Sequence, residues 1–247
     1  MHSFAGTPVQ FVSYWETAPG ATMPPHIALS IVSIRRALGD SFLLLTPQST
    51  PTFIGHDHLR KKWRFDYLGF KLSPDIESIV ARSDFIRMAY VYRYGGVWID
   101  ADTLLLKNPT ARLFPEGLTH KLHWLSEALF ASLPGNPLLG RAVASSLCER
   151  AHKWGDPGGI KEIVTQSPEQ LTIIPGSTVD PGYRPLYNFA TCDVLRQRNL
   201  PAQEFLINDI DILKLYNTYI SRTTSKQQTV EEFLADGTLL AKIFLLV

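Results

Sequence analysis

The chain has 247 residues, a formal net charge of +1, 45% hydrophobic and 19% charged residues. Such a composition belongs to a globular protein with ample length for a sizeable core, and it excludes a disordered chain. The near-neutral balance argues against a nucleic-acid partner.

The first predicted element is a strand, VQFVSY from Val9 to Tyr14, with β-branched and aromatic residues in near alternation. Trp15 follows it, ahead of the polar loop ETAPGATMPP. Parallel sheets place ligand contacts at the carboxyl ends of strands, so two readings of Trp15 stand: a lid on the core, or an indole stacking on a base. Pro24-Pro25 opens a helix whose Ile27, Ile31, Ile34 and Leu38 recur at helical spacing, with Gly39 as its C-terminal cap. FLLL, Phe42 to Leu45, is a second buried strand. The first fifty residues thus spell β-α-β, the opening of a parallel sheet.

The run HDHLRKKWR, His56 to Arg64, fits a solvated basic helix face or a contact to an anionic ligand. Ser73-Pro74 starts the next helix, with Asp75 and Glu77 in its first turn. Ser83 has the character of a second N-cap or a kink ahead of DFIRMAYVYRY, and Gly95-Gly96 stops the helix. Val97 to Ile99 is a short strand, and Asp100 and Asp102 follow it. WLSEALFAS, Trp124 to Ser132, is expected as one strand region, which sets Glu127 at a strand centre. Pro137 begins a helix, and Leu171 to Ile174 is a late strand. The C-terminal LLAKIFLLV is a final core element or a contact to a membrane surface or partner. No repeat or linker divides the chain, so a single domain, 1–247, is expected, its last fifty or so residues serving as a lid or acceptor-side extension. MHSFAGTPVQF lacks the basic-then-apolar pattern of a secretion signal. Cys148 and Cys192, without CxxC spacing, exclude a cysteine zinc cage and fit a reducing compartment.

The chemistry concentrates between Ser83 and Thr103. Two carboxylates one residue apart at a strand end can share Mn²⁺ or Mg²⁺, which favour oxygen ligands and complete their shells with water and substrate phosphates. Strict alternation would point Asp100 and Asp102 to one side. Asp84 and Arg87 lie three apart on one helical turn, either as an ion pair or as contacts to sugar hydroxyls and phosphate. A reversal at Gly95-Gly96 would return the helix start to the acidic strand end.

S-D-x-x-R followed by Y-G-G-V-W-x-D-x-D resembles the signature of the glycosyltransferases with a DXD sugar-binding region, including the capsular polysaccharide synthesis and initiating-mannosyltransferase types. Looser similarity covers Pro8 to Trp15 and LTIIPG at Leu171 to Gly176. The resemblance implies an α/β, GT-A-like fold: a Rossmann-related mixed sheet with flanking helices. It implies a nucleotide-sugar donor, UDP-sugar favoured, a Mn²⁺ or Mg²⁺ ion, and retention of anomeric configuration. Trp15 would stack on the base, Trp98 would line the nucleotide pocket, and Asp84, Arg87, Gly95 and Gly96 would belong to the donor side. Asp100 would meet the ribose or a metal-bound water, and Asp102 would ligate the metal; these two are the candidate catalytic pair. The acceptor would be a glycan, a lipid-linked species or a protein. Glycan or capsule assembly would place the chain in the cytoplasm, in peripheral contact with the inner membrane face.

Two departures stand out. The family's C-terminal histidine- or tryptophan-containing lid has no counterpart beyond Tyr216 to Tyr219 and Ser221-Arg222. An asparagine frequent after the acidic strand is replaced by Ser126-Glu127, an acceptor-side candidate pair or, for Glu127, a buried satisfied acid. Two alternatives remain. Asp100-Ala-Asp102-Thr103 also resembles the first motif of haloacid-dehalogenase-type phosphatases, with Asp100 as nucleophile, but the later acidic pair, Asp209 and Asp211, is poorly formed. A non-catalytic nucleotide-sugar-binding protein is the other. His120 and His123 are a weak candidate pair of metal ligands.

Overall fold

The computed structural model describes residues 9–50, 74–147, 157–176, 190–205, 210–223 and 228–247. The basic run at 56–64, Cys148 and Asp209 lie outside the described residues. In chain order the elements are β1 (Phe11–Tyr14), α1 (Pro25–Leu38), β2 (Phe42–Leu45), α2 (Pro74–Tyr94), β3 (Gly96–Ile99), β4 (Thr103–Leu105), α3 (Thr110–Leu113), β5 (Leu122–Ser126), β6 (Leu129–Ser132), α4 (Pro137–Leu147), α5 (Ile160–Thr165), β7 (Leu171–Ile173), α6 (Ala190–Leu195), α7 (Ala202–Phe205), β8 (Ile212–Lys214), α8 (Asn217–Thr223), α9 (Val230–Ala235) and α10 (Leu239–Leu246). They gather into two compact units. One comprises Met1–Ala21, Leu43–Asp100 and Glu116–Ile173; the second comprises Thr22–Phe42, Ala101–Pro115 and Ile174–Val247.

The first unit carries the expected mixed α/β sheet with helices, six strands in the order β2-β1-β3-β6-β5-β7. β1 and β3 are parallel, β3 and β6 antiparallel, β5 and β6 antiparallel, and β5 and β7 parallel. Central β3 is apolar on both faces because both are covered. Val97, Trp98 and Ile99 are all essentially inaccessible.

Helix α2 differs from expectation. It runs unbroken for 21 residues, so Ser83 lies within the helix and is not a second N-cap. Ile86, Met88 and Val91 enter the main core cluster, while Ala81, Phe85 and Ala89 form a second cluster on another face. A helix buried on two faces loses the single apolar stripe that marks a helix in sequence. Its end is set by Gly95, whose N–H bonds the Val91 carbonyl at 2.9 Å. Gly95 and Gly96 have φ of 71° and 105°. A Cβ at either would come within 2.7 Å of Pro134 Cδ or the Gln10 carbonyl oxygen, respectively. No other residue permits this reversal without strain.

The expected single strand at Trp124 to Ser132 is instead a hairpin, β5 and β6, with Glu127 and Ala128 at its tip. Glu127 is therefore a turn residue, not a strand-centre acid. The Ser126 hydroxyl accepts the Ala128 N–H at 3.2 Å, a local bond that competes with strand continuation.

In the second unit β4 pairs antiparallel with β8. Helix α1 packs on β4, and the Ser33 hydroxyl accepts the Leu105 N–H at 3.1 Å. Leu104, Leu213, Leu215, Ile220, Phe233, Leu240 and Ile243 share one core cluster. Thr229 and Glu232 form a reciprocal capping box on α9, and Thr238 caps α10. The C-terminal apolar run is thus a helix: it buries Leu239, Leu240 and Ile243 and exposes Leu245 and Leu246. No described helix is long and apolar enough to cross a membrane.

Candidate functional site

Helix and strand geometry determine which α2 residues meet Asp100. From Gly96 to Asp100 the chain advances about 13 Å at roughly 3.3 Å per residue. A helix running back from Tyr94 at about 1.5 Å per residue needs about nine residues to match that advance, which brings it level near Phe85. Asp84 and Arg87 bracket that position from mid-helix.

Arg87 is 7% exposed and converges three partners. Its guanidinium is ion-paired to Asp84, and Nη1 lies 3.7 Å from Asp100 Oδ1. Nη1 also donates to the Glu127 carbonyl at 2.8 Å. Nε is buried with no hydrogen-bond partner among the described residues. Asp100 receives the Trp98 indole N–H on Oδ1 at 2.7 Å, and its own N–H donates to the Ala128 carbonyl at 3.0 Å. Residues 98 and 100 share a strand face, which is why the indole reaches the carboxylate. Trp98 therefore buries its ring in the core and presents one N–H to Asp100. The result is one guanidinium between two partly buried carboxylates, seated on the hairpin tip that carries Ser126 and Glu127.

β1 ends beside β3. The β1–β3 register pairs Phe11 with Val97 and Val12 with Trp98, and the Ser13 hydroxyl donates to the Ile99 carbonyl. Trp15 is half-buried just past the strand, its indole N–H on the Thr17 hydroxyl at 3.1 Å and its backbone N–H on the Leu45 carbonyl at 3.0 Å. Glu16 next to it accepts two bonds from Arg82, one from Nε at 2.8 Å, and a third from the Tyr14 hydroxyl at 2.6 Å. Burial and the Glu16 carboxylate push the Tyr14 phenol well above its ordinary value. The Glu16–Arg82 pair escapes sequence reading because 66 residues separate its members. Gly95 and Gly96 are not part of this cluster. They stand at the opposite end of β3, at the backbone reversal from α2.

Asp102 belongs to the second unit and has its own partners. Lys214 Nζ forms an ion pair with Oδ1, and the Asn217 backbone N–H donates to Oδ2 at 2.6 Å. The Leu215 N–H bonds the Asp102 carbonyl at 2.9 Å. Asn217 Oδ1 is held by His26 Nε2 at 2.9 Å and by the Ser221 hydroxyl at 2.7 Å. Because Oδ1 only accepts, the proton between them is assigned to His26 Nε2. Burial lowers the His26 pKa against the opposing pull of Asn217 and Asp102. Sequence reasoning missed Lys214, Asn217 and His26 as neighbours of Asp102. Their pairing with it is long-range, and no local pattern signals it.

The donor chemistry at Asp102 suits Mn²⁺ or Mg²⁺: a carboxylate offers about four lone-pair positions, and two are taken. Among the described residues no group of three or more His, Cys, Asp or Glu side chains gathers to cage a metal. A Mg²⁺-type ion held by one or two carboxylates takes its other ligands from water and substrate phosphates. His120 is exposed ahead of β5, whereas His123 is buried with Nε2 3.2 Å from the Thr119 hydroxyl.

Residues 53–122 match the family model described as the glycosyltransferase sugar-binding region containing the DXD motif. That segment includes Asp84, Arg87, Trp98, Asp100 and Asp102. Among solved structures the chain is similar to the PaToxG glycosyltransferase, at 12% identity and a TM-score of 0.39, over 65% of this chain and 69% of that one. No curated protein matches the chain.

Proposed function

We propose that the chain is a metal-dependent glycosyltransferase of GT-A type that moves a sugar from a nucleotide-sugar, a UDP-sugar first, to a glycan, lipid-linked or protein acceptor. The observation that carries this reading is the buried Arg87 held between Asp84 and Asp100 at the end of a strand that closes in Asp-x-Asp, inside the segment that matches the sugar-binding family model. A guanidinium so fixed has little freedom left to lose on binding, and its carboxylate partners are acceptors for sugar hydroxyls.

In this reading Asp84 and Arg87 bind donor hydroxyls, and Arg87 balances the charge of the carboxylates beside it. Trp98 keeps Asp100 oriented towards the ribose by its indole N–H. Trp15, half-buried at the exit of β1, offers its ring face to the base, and the Glu16–Arg82 pair fixes the loop that carries it. Asp102 holds Mn²⁺ or Mg²⁺, and the ion when bound neutralises charge developing on the departing diphosphate. Ser126 at the end of β5 and Glu127 in the hairpin turn stand on the acceptor side. Retention of anomeric configuration, a glycan-assembly role and a cytoplasmic location with peripheral membrane contact belong to the same proposal.

The test is a panel of UDP- and GDP-sugars incubated with the protein and Mn²⁺. Metal-dependent release of the nucleoside diphosphate from one donor supports the reading. Release of inorganic phosphate from a sugar phosphate, with a covalent phosphoryl adduct on Asp100, would overturn it in favour of phosphatase chemistry.

A further inference from the structure

We infer that Lys214 is an internal cation that competes with the divalent metal for Asp102, an inference that rests on the metal-dependent reading above. Both members of the pair are largely buried, with side-chain exposures of 12% and 13%. Solvent and salt screen such a pair less than a surface pair. Lys214 and the Asn217 N–H take one position on each carboxylate oxygen.

The two donors are not equivalent. The Asn217 amide is neutral and is set by the backbone: Tyr216 just before it adopts φ 51°, a left-handed conformation uncommon for a non-glycine residue. That bend aims the amide at Oδ2, and the amide stays there whether or not a metal arrives. Lys214 carries a full charge on a four-carbon stem that can swing. Its Nζ lies 5.7 Å from the Tyr216 ring centroid, close enough for the ring to favour the ammonium at this end of β8. A divalent ion ligating Asp102 meets this ammonium at the same carboxylate, and two cations a few ångströms apart repel. The ammonium must move before the ion is bound tightly. Asp102 is thus neutralised by the chain itself in the absence of metal, and metal affinity is held down until the ammonium has another anion to face. The diphosphate of the donor has that chemistry.

The experiment is a titration of the full chain with MnCl₂ alone, free Mn²⁺ being counted by electron paramagnetic resonance. Lys214→Met keeps the alkyl stem and removes the charge; Lys214→Gln does the same with a polar end. Both are expected to bind Mn²⁺ about tenfold tighter than the parent chain. Lys214→Arg, which keeps the charge and pairs with carboxylates in a more rigid geometry, is expected at the parent affinity or weaker. Circular dichroism establishes which variants are folded, and the Arg and Gln variants carry the comparison if the Met variant is not. If Asp102→Asn abolishes Mn²⁺ binding but the neutral Lys214 variants bind no tighter than the parent, the competition is refuted and the metal assignment survives. If Mn²⁺ does not bind, or binds regardless of Asp102→Asn, the metal assignment and the competition fall together.

Discussion

Replacing Arg87 by Met separates the contribution of this residue to folding from the part in donor binding proposed for it. The guanidinium side chain is 9% exposed, and it faces Asp84, 11% exposed, and Asp100, 21% exposed. Removing it takes the cation from two partly buried carboxylates, Asp100 keeping the Trp98 indole N–H, and removes the 2.8 Å donor to the Glu127 carbonyl. Breaking a buried pair by deleting one partner costs about 3–5 kcal/mol, mostly because the remaining charge is uncompensated. Arg87→Met should therefore lose about that much stability in urea unfolding followed by the fluorescence of Trp98 and Trp124, which both lie in the first unit's core. Asp84→Asn added to Arg87→Met removes one stranded charge and should recover about half of the loss. The coupling in the double-mutant cycle is expected near 2 kcal/mol. Donor turnover should stay absent in the refolded double variant, because the proposed hydroxyl recognition uses both groups. A loss below about 1 kcal/mol for Arg87→Met, or the same loss with and without Asp84→Asn, would refute the clamp.

Gly96→Ala combines a φ of 105° with a Cβ 2.7 Å from a backbone oxygen, so it should cost about 3 kcal/mol or more. Gly117→Ala, at φ 77° with nothing within 4 Å, should cost about 1 kcal/mol in the same urea titration. Acid should weaken the fold through His26 and His123, both held below their ordinary value by burial. A base with a lowered folded pKa is protonated first in the unfolded chain, so stability falls as pH drops below about 6.5 towards the folded values. Each group contributes up to about 1.4 kcal/mol per pH unit across that window. Thermal melts from pH 7.5 to 5.5 should show the decline, and His26→Gln with His123→Gln should flatten it.

The elements that sequence reading anticipated are those with one apolar face or an unbroken apolar run. Helix α1 shows Ile27, Ile31, Ile34 and Leu38 at helical spacing, and each is buried. Central β3 is wholly apolar, and its closing aspartates stand where the motif predicts a strand end. The continuity of helix α2 through Ser83 is not legible in sequence because burial on two faces removes the periodicity that marks it. Trp124 to Ser132 reads as one strand region in sequence because Glu127 and Ala128 lack the Asn-Gly or Asp-Gly chemistry of a strong turn signal. The pairing of Arg87 with Asp84 was legible at i,i+3, whereas its bond to Glu127 was not. Around Asp102 almost nothing was legible. Lys214, Asn217 and His26 reach it from distant segments, and long-range pairing leaves no trace in local pattern.

The proposed transferase stands or falls most directly on Asp102. The measurement is Mn²⁺-dependent UDP release from the UDP-sugar that the parent chain turns over, compared with Asp102→Asn at matched folded concentration. Asparagine keeps the shape and one acceptor oxygen but gives up the charge that pairs with Lys214 and that is proposed to bind the ion. Metal-dependent release should disappear while circular dichroism stays that of the parent. Release at the parent rate by Asp102→Asn would contradict the metal assignment.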